Sequence, residues 1–421
     1  MTSKSHCYVY ITLPGQIFPV TAGRLVLETT SVGENIGRFV YGKSYLARSN
    51  AVAIDPVELK LTERIYETSL LGGVFGAIRD ASPDHWGRRL IEQHIGKLDV
   101  SEMEYLLHSP DDRIGALGFG LNKEPPAPKR TFNRMIDLER LQQIADEIME
   151  GENAHGATTS LHVQVEHLLL LGTSMGGARP KAVVSSDDAL WMAKFNCTHD
   201  RWNSALAEYA MLRLARDCGL NVAESKITSV GGKDVLLVKR FDREHTDDGY
   251  LCHRMISSMT ILRAGDDYTH RDKWSYIILA EELRRFSSAP KEDARELFQR
   301  MTFNALISNI DDHPRNHAFI ASENWRLSPA YDLTPNPMIS LERRDLAMTC
   351  GSMGRFANRN NLLSECRRFM LEPNEAAIIV DEMADCVKNN WYKTARKVGL
   401  SERDCDLIKP SFAYHGFSAP T

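Results

Sequence analysis

The chain has 421 residues, room for two or three domains, and its 43% hydrophobic and 25% charged content is that of a soluble globular protein rather than a disordered or fibrous one. Its 51 Lys and Arg stand against 56 Asp and Glu, a net charge of -5, so no global basic field argues for direct nucleic-acid binding by the chain alone. The eight cysteines are scattered without Cys-x-x-Cys pairs or zinc spacing and read as reduced thiols; with no leader-like apolar run after Met1 and no stretch approaching a membrane span, the expected location is cytoplasmic.

Residues 1–123 read as a small mixed α/β unit. Tyr8 to Leu13, Arg24 to Leu27 and Gly37 to Tyr41 alternate as strands do, with Pro14-Gly15 as a break, and helices are predicted from Asp84 and over Glu102 to His108. Lys123 to Arg130 is rich in proline and charge, which marks a linker over 124–135. Beyond it Leu138, Leu141, Ile144, Ile148 and Met149 fall at helical spacing, and a second amphipathic segment carries Leu161, Val165, Leu168 and Leu169.

That segment runs into Gly172-Thr173-Ser174-Met175-Gly176-Gly177-Ala178-Arg179-Pro180-Lys181, followed by the apolar strand Ala182 to Val184. Such a loop is either an ordinary turn or a place where small residues let backbone N–H groups approach phosphate oxygens, with Arg179 or Lys181 adding charge; it lacks the Gly-Lys-Ser/Thr of a Walker loop. The next strand, Leu190 to Phe195, carries Lys194 among large apolar residues. That lysine is either an outward edge charge or an amine aimed at an anion. A helix over Asn203 to Cys218 holds Glu208 on or near its apolar stripe, where it could steady the lysine, and Val235 to Arg243 is a strand entering a polar turn.

From about Tyr250 the pattern is largely helical, with amphipathic segments over Trp274 to Arg285, Glu292 to Asn309 and Glu375 to Val398. The second leads into Ile310-Asp311-Asp312-His313-Pro314-Arg315-Asn316, and Asp332 follows in the apolar setting of Leu327 to Leu333. Asp311 and Asn316 have the Asp-x-x-x-x-Asn spacing with which kinase-type folds place a catalytic carboxylate and a magnesium-holding amide on one loop. Magnesium takes oxygen ligands, so Asn316 and Asp332 suffice beside phosphate oxygens, and Asp311 can accept the proton of an attacking hydroxyl. His85, His313 and His317 are expected at turns or on the surface, and Glu342 to Asp345 as a solvated face.

Together the Ser174 to Lys181 loop, Lys194, the Val238-Lys239-Arg240-Phe241-Asp242-Arg243 run, the Asp311 to Asn316 loop and the Leu327 to Leu333 segment resemble the HipA family of bacterial serine/threonine kinase toxins, and Arg113 to Gly118 is similar to that family's small N-terminal subdomain. The resemblance spans nearly the whole chain. It implies an α+β, bilobal protein-kinase-like (HipA/PI3-kinase-like) fold: an N-terminal subdomain over 1–123, a kinase N-lobe over 136–248, and a mainly helical C-lobe over 249–421.

The implied activity is transfer of the ATP γ-phosphate to serine with Mg2+. By position Asp311 is the base and Asn316 and Asp332 hold the metal. Lys194, Gly176, Gly177, Ala178, Lys181, Lys239, Phe241 and Arg315 contact the nucleotide, and Ser174 is the autophosphorylated, self-silencing serine. The family's substrate is a translation component, glutamyl-tRNA synthetase in the best-known case, and its partner a HipB-like DNA-binding antitoxin. Arg179-Pro180 stands where a Gln-Glu pair is usual and Asp312 where a Gly is usual; these departures spare the chemistry but bear on target and antitoxin. Two rival readings are a small-molecule phosphotransferase of aminoglycoside- or lipid-kinase type and an inactive pseudokinase co-repressor. The second requires loss of a catalytic residue, and Lys194, Asp311, Asn316 and Asp332 are all present.

Overall fold

The structure is a computed structural model that describes residues 3–97, 99–128, 132–151, 179–186, 188–197, 199–265, 268–337, 340, 342–412 and 414–418. It divides into two compact units, one of residues 1–197, 240–256 and 320–323, the other of 198–239, 257–319 and 324–421. The chain therefore leaves one unit and enters the other between Lys239 and Arg240.

In the first unit the expected alternation appears as strands β1 (Ser3–Thr12), β2 (Pro19–Thr29) and β3 (Asn35–Tyr41), joined by β4 (Tyr66–Thr68) and β5 (Leu117–Gly120). Their order is β4-β3-β2-β1-β5, and every pairing is antiparallel. Alternate residues Cys7, Val9 and Ile11 of β1, with Leu25 of β2 and Phe39 of β3, are fully buried, so one face of the sheet is core. The expected helices are His85–Ile95, capped by Asp84 accepting from the Gly87 amide at 2.7 Å, and Glu102–His108, opened by a Ser101/Glu104 capping box. Further on, β6 (Asn133–Arg134) lies parallel to β7 (Lys181–Ser186), which pairs antiparallel with β8 (Ala189–Phe195) in a register that sets Lys181 opposite Lys194.

The first unit also contains a buried ionic knot. Arg240 donates to both carboxylate oxygens of Asp242, at 3.0 and 2.8 Å, and to the carbonyls of Asp112 and Arg113 at 2.7 and 2.8 Å. Arg243 adds bonds to Asp242 Oδ2 and the Gly115 carbonyl, both at 2.8 Å, and the Gly115 amide donates to Asp242 Oδ2 at 2.8 Å. Gly115 sits at φ +72°, and a Cβ there would meet the Met255 amide nitrogen at 3.1 Å, so only glycine fits without strain.

The second unit is mainly helical. It begins with helix Ser204–Asp217, whose N-cap Asn203 accepts from the Leu206 amide at 3.0 Å, and the antiparallel hairpin β9 (Ser225–Val230) and β10 (Lys233–Lys239). Helices Tyr276–Phe286, Pro290–Leu306 and Pro373–Lys397 follow, each carrying the apolar stripe its spacing predicts; Leu279, Leu283, Leu297, Phe298, Met301 and Phe303 are completely buried. Proline opens the last two at the first helical position, where its missing N–H costs nothing. Among the described residues no helix is long and apolar enough to cross a membrane.

Two expectations are overturned. His317 is buried, not superficial, because its ring packs edge-on against Tyr276. Arg344 is likewise buried, its guanidinium donating to the Ser308 hydroxyl at 2.5 Å and lying over the Tyr414 ring, so Glu342 to Asp345 is solvated only in part.

Candidate active site

The loop expected to carry the chemistry starts where helix Pro290–Leu306 is stopped. Ser308 adopts the left-handed φ of +52°, and its hydroxyl donates to the Ser411 carbonyl at 2.6 Å. Asn309 folds back on the helix end: its amide donates to the Asn304 carbonyl at 2.8 Å and its Nδ2 to Asn304 Oδ1 at 3.1 Å. The next two carboxylates then part company. The Asp311 side chain is 79% exposed, whereas Asp312 is 0% exposed.

Asp312 is the inward anchor. Its Oδ2 accepts from the Tyr276 hydroxyl at 2.7 Å and its Oδ1 from the Ala347 amide at 2.6 Å. The Tyr276 oxygen also receives Asn304 Nδ2 at 3.0 Å and lies 3.0 Å from His317 Nε2. Both ends of the loop, Asp312 and His317, thus converge on one phenol. The outer part is a single turn, Pro314–Asn316, in which the Asn316 amide donates to the His313 carbonyl and its Nδ2 to the Asp311 carbonyl, both at 2.9 Å. On its far side the His317 carbonyl accepts from the Ser258 amide and hydroxyl, at 2.7 and 2.8 Å.

A second segment is tied to the same loop. The Ala330 amide donates to the Asn221 carbonyl at 2.8 Å, and the Tyr331 hydroxyl to the Arg315 carbonyl at 2.8 Å. Asp332 follows in the left-handed region at φ +59°, a conformation that Asp tolerates better than most side chains.

The electrostatics separate the carboxyl groups. Asp311 is pushed above its ordinary value, first by protein crowding out part of its hydration, then by the negative charge of Asp332, with His313 opposing from 3.9 Å. Asp312 is pushed up to about 7, chiefly by complete burial, with the Tyr276 and Ala347 bonds opposing. Burial brings His317 down to about 3, which keeps its ring neutral, and drives the Tyr276 hydroxyl well above its ordinary value.

The expected metal ligands offer the right chemistry. The bond from Nδ2 to the Asp311 carbonyl leaves the Asn316 amide oxygen for a cation, and the Asp311–Asp332 repulsion is of the kind a bound divalent cation relieves. Among the described residues no group of three or more His, Cys, Asp or Glu is gathered for a metal, so any cation held here would complete its shell with other oxygens.

Of the other expected residues, Lys194 is half-buried on β8 of the first unit, and Glu208 is buried in the second. Lys181 is buried and ion-paired with Asp84 at 2.5 Å; even so, burial outweighs the lysine's attraction and raises the Asp84 carboxyl. Lys239 is exposed toward Glu224 at 2.9 Å, and Phe241 is half-buried. Ser174, Gly176, Gly177 and Ala178 lie outside the described residues. Sequence reasoning missed Tyr276 and Asn304, which sit one helix away from the motif; the only available hint was a tyrosine within an otherwise aliphatic stripe.

Comparison with known proteins bears on this arrangement. The family described as the HipA-like C-terminal domain matches residues 173–391, and the HipA N-terminal domain matches residues 20–120. A kinase-named protein of Sinorhizobium fredii is 30% identical over 131 residues, 30% of this chain and 31% of that protein. Another kinase-named protein, from Haemophilus influenzae, is 27% identical over 153 residues, 31% of this chain and 42% of its own length. The matches thus span well under half of either curated relative. Among solved structures, the Shewanella oneidensis HipA, determined with HipB and its operator DNA, aligns with a TM-score of 0.68 at 17% identity, covering 97% of this chain and 96% of that one. With the C-terminal family description alone matching more than half of its length, the chain belongs to the HipA family.

Proposed function

We propose that this chain is an ATP-dependent serine/threonine protein kinase of the HipA toxin type. The observation that carries the reading is the exposed Asp311 on a loop whose Asn316 amide is fixed to the Asp311 backbone and whose Arg315 carbonyl is tied to the Asp332 segment. In this reading Asp311 accepts the proton of the attacking serine hydroxyl, to which its exposed carboxylate is open. Asn316 and Asp332 hold magnesium, which would offset the charge of the phosphate oxygens during transfer. Lys194 contacts the ATP phosphates. Lys239 and Phe241 meet the adenine through their backbone.

The domain reading is a bilobal kinase with subdomain 1–123, linker 124–135, N-lobe 136–248 and C-lobe 249–421. Autophosphorylation at Ser174 would silence the enzyme, because a doubly charged group in a phosphate-wrapping loop repels the nucleotide. The substrate is a translation-related protein such as glutamyl-tRNA synthetase. Since the Shewanella oneidensis relative was solved with HipB and operator DNA, a HipB-like antitoxin is the proposed partner.

The test is intact mass before and after incubation of the full chain with magnesium and ATP, beside Asp311→Asn. One added phosphate at Ser174, lost in the variant while nucleotide binding persists, is expected. Asp311→Asn activity within a few-fold of wild type removes Asp311 from its role. ATP binding with transfer only to small-molecule acceptors selects the rival phosphotransferase.

A further inference from the structure

We propose that Asp312, the buried neighbour of Asp311, is a positioning residue for phosphoryl transfer, which it serves by fixing the 311–317 loop to the body of its unit through Tyr276 and the Ala347 amide. This rests on the kinase reading of the loop. Asp312 meets neither substrate nor nucleotide, being completely buried, yet it is covalently joined to the carboxylate that must face the attacking hydroxyl. Asp311 has no comparable tether of its own: its exposed side chain has a single described ion-pair neighbour, His313 at 3.9 Å. Where Asp311 stands is therefore decided by its backbone, and that backbone is pinned on one side by Asp312 and on the other by the Asn316 amide. Small displacements of reacting groups are costly in rate, so a tether acting on backbone position is felt mainly in turnover.

The Tyr276 hydroxyl gathers these groups. With Asp312 ionised it can give its only proton to Oδ2, leaving its two lone pairs for Asn304 Nδ2 and, in the Nε2–H tautomer of a neutral His317, for that N–H. An asparagine at 312 can keep the same positions: its oxygen accepts from Ala347, its NH2 donates to Tyr276, and the tyrosine proton turns to the bare Nε2 of His317. An alanine satisfies none of these groups. Asp312→Asn and Asp312→Ala therefore separate loss of charge from loss of the tether.

The experiment uses the full chain, with three variants: Asp312→Ala, Asp312→Asn and Tyr276→Phe. It measures kcat and KM for ATP, equilibrium ATP binding, and hydrogen exchange of the backbone amides. For Asp312→Ala, kcat is expected to fall at least tenfold with ATP affinity within threefold, and the amides of the 311–317 loop to exchange at least tenfold faster while helix Pro290–Leu306 keeps its protection. Tyr276→Phe should shift both readouts the same way, and Asp312→Asn should recover at least a third of wild-type kcat. Asp312→Ala with kcat within threefold of wild type overturns the proposal. So does a parallel loss of kcat, ATP affinity and helix protection, which marks a merely structural role. A wild type that transfers no phosphate fails the kinase reading by itself. In that case faster loop exchange in Asp312→Ala, reversed in Asp312→Asn, still supports the tether, and unchanged exchange overturns it.

Discussion

Two aspartates, Asp242 and Asp312, are equally buried and meet opposite fates. Asp242 lies between Arg240 and Arg243, and although burial works against ionisation, the two guanidiniums and the Gly115 amide hold its carboxyl far below the usual carboxylate range. Asp312 is held by a phenol and one backbone amide, and burial carries it up to about 7. The difference lies in the neighbours rather than in depth. A carboxylate flanked by arginines is a fixed charge over the whole physiological range, whereas one held by neutral donors stands at the edge of titration.

Breaking the arginine-flanked cluster should have the largest effect. Asp242→Ala leaves two guanidiniums buried without their counter-charge and is expected to cost about 3–5 kcal/mol, read by denaturant unfolding. A loss below about 1 kcal/mol would mean that the knot is far better hydrated than its burial indicates. The second test sharpens the contrast through pH. Because the folded pKa of Asp312 lies above its unfolded value, the native state holds a proton that the unfolded chain has released. Its contribution is complete at acid pH and is lost as pH rises toward about 7. The stability of wild type relative to Asp312→Asn should accordingly decline between roughly pH 4 and 7, by about 1.4 kcal/mol per unit at the steepest. A pH-independent difference would remove Asp312 from the titrating groups.

Tyr276→Phe removes only the hydroxyl shared by Asp312 and Asn304 and should cost about 1–3 kcal/mol, the expense of stranding buried polar partners. If it is neutral, the phenol is not what holds Asp312. The smallest effect is expected far from both clusters. Ser101→Ala, which deletes the capping box of helix Glu102–His108, should cost about 1 kcal/mol and leave ATP affinity unchanged. Any change in nucleotide binding in that variant would show that the capped helix is coupled to the site.

How far the sequence speaks depends on the range over which each feature is built. Helices 204–217, 276–286, 290–306 and 373–397 follow from period and caps, which are local, and their ends lie within a few residues of the expected ones; of the N-terminal sheet three strands were foreseen, β1 and β2 starting earlier than expected, while the short β4 and β5 were not. The Asp311 to Asn316 turn was legible for the same reason, since its donors and acceptors lie within six residues. What surrounds it was not. Tyr276 and Ala347 reach Asp312 across 36 and 35 residues, Asn304 reaches Tyr276 across 28, and no spacing rule links them. The burial of His317 was missed because a histidine three residues after a proline reads as a turn until the aromatic face covering it is known. Nor could the sequence foresee the partner of Lys181, since Asp84 is contributed by the start of a helix almost a hundred positions earlier.

The knot around Asp242 also bears on how such a chain can change over evolutionary time. Three of its acceptors are backbone carbonyls of Asp112, Arg113 and Gly115, at the end of the N-terminal segment, while its guanidiniums come from Arg240 and Arg243. Carbonyl acceptors are supplied by any residue type, but Gly115 keeps its place by its backbone and Arg113 by its buried guanidinium, which donates to the Leu106 and Ser109 carbonyls. Deletion is another matter, since a chain lacking its first 120 residues would carry two arginines and an aspartate evolved for an interior that no longer exists. The first 120 residues are in this sense inherited with the rest of their unit as one piece, not free to be shed.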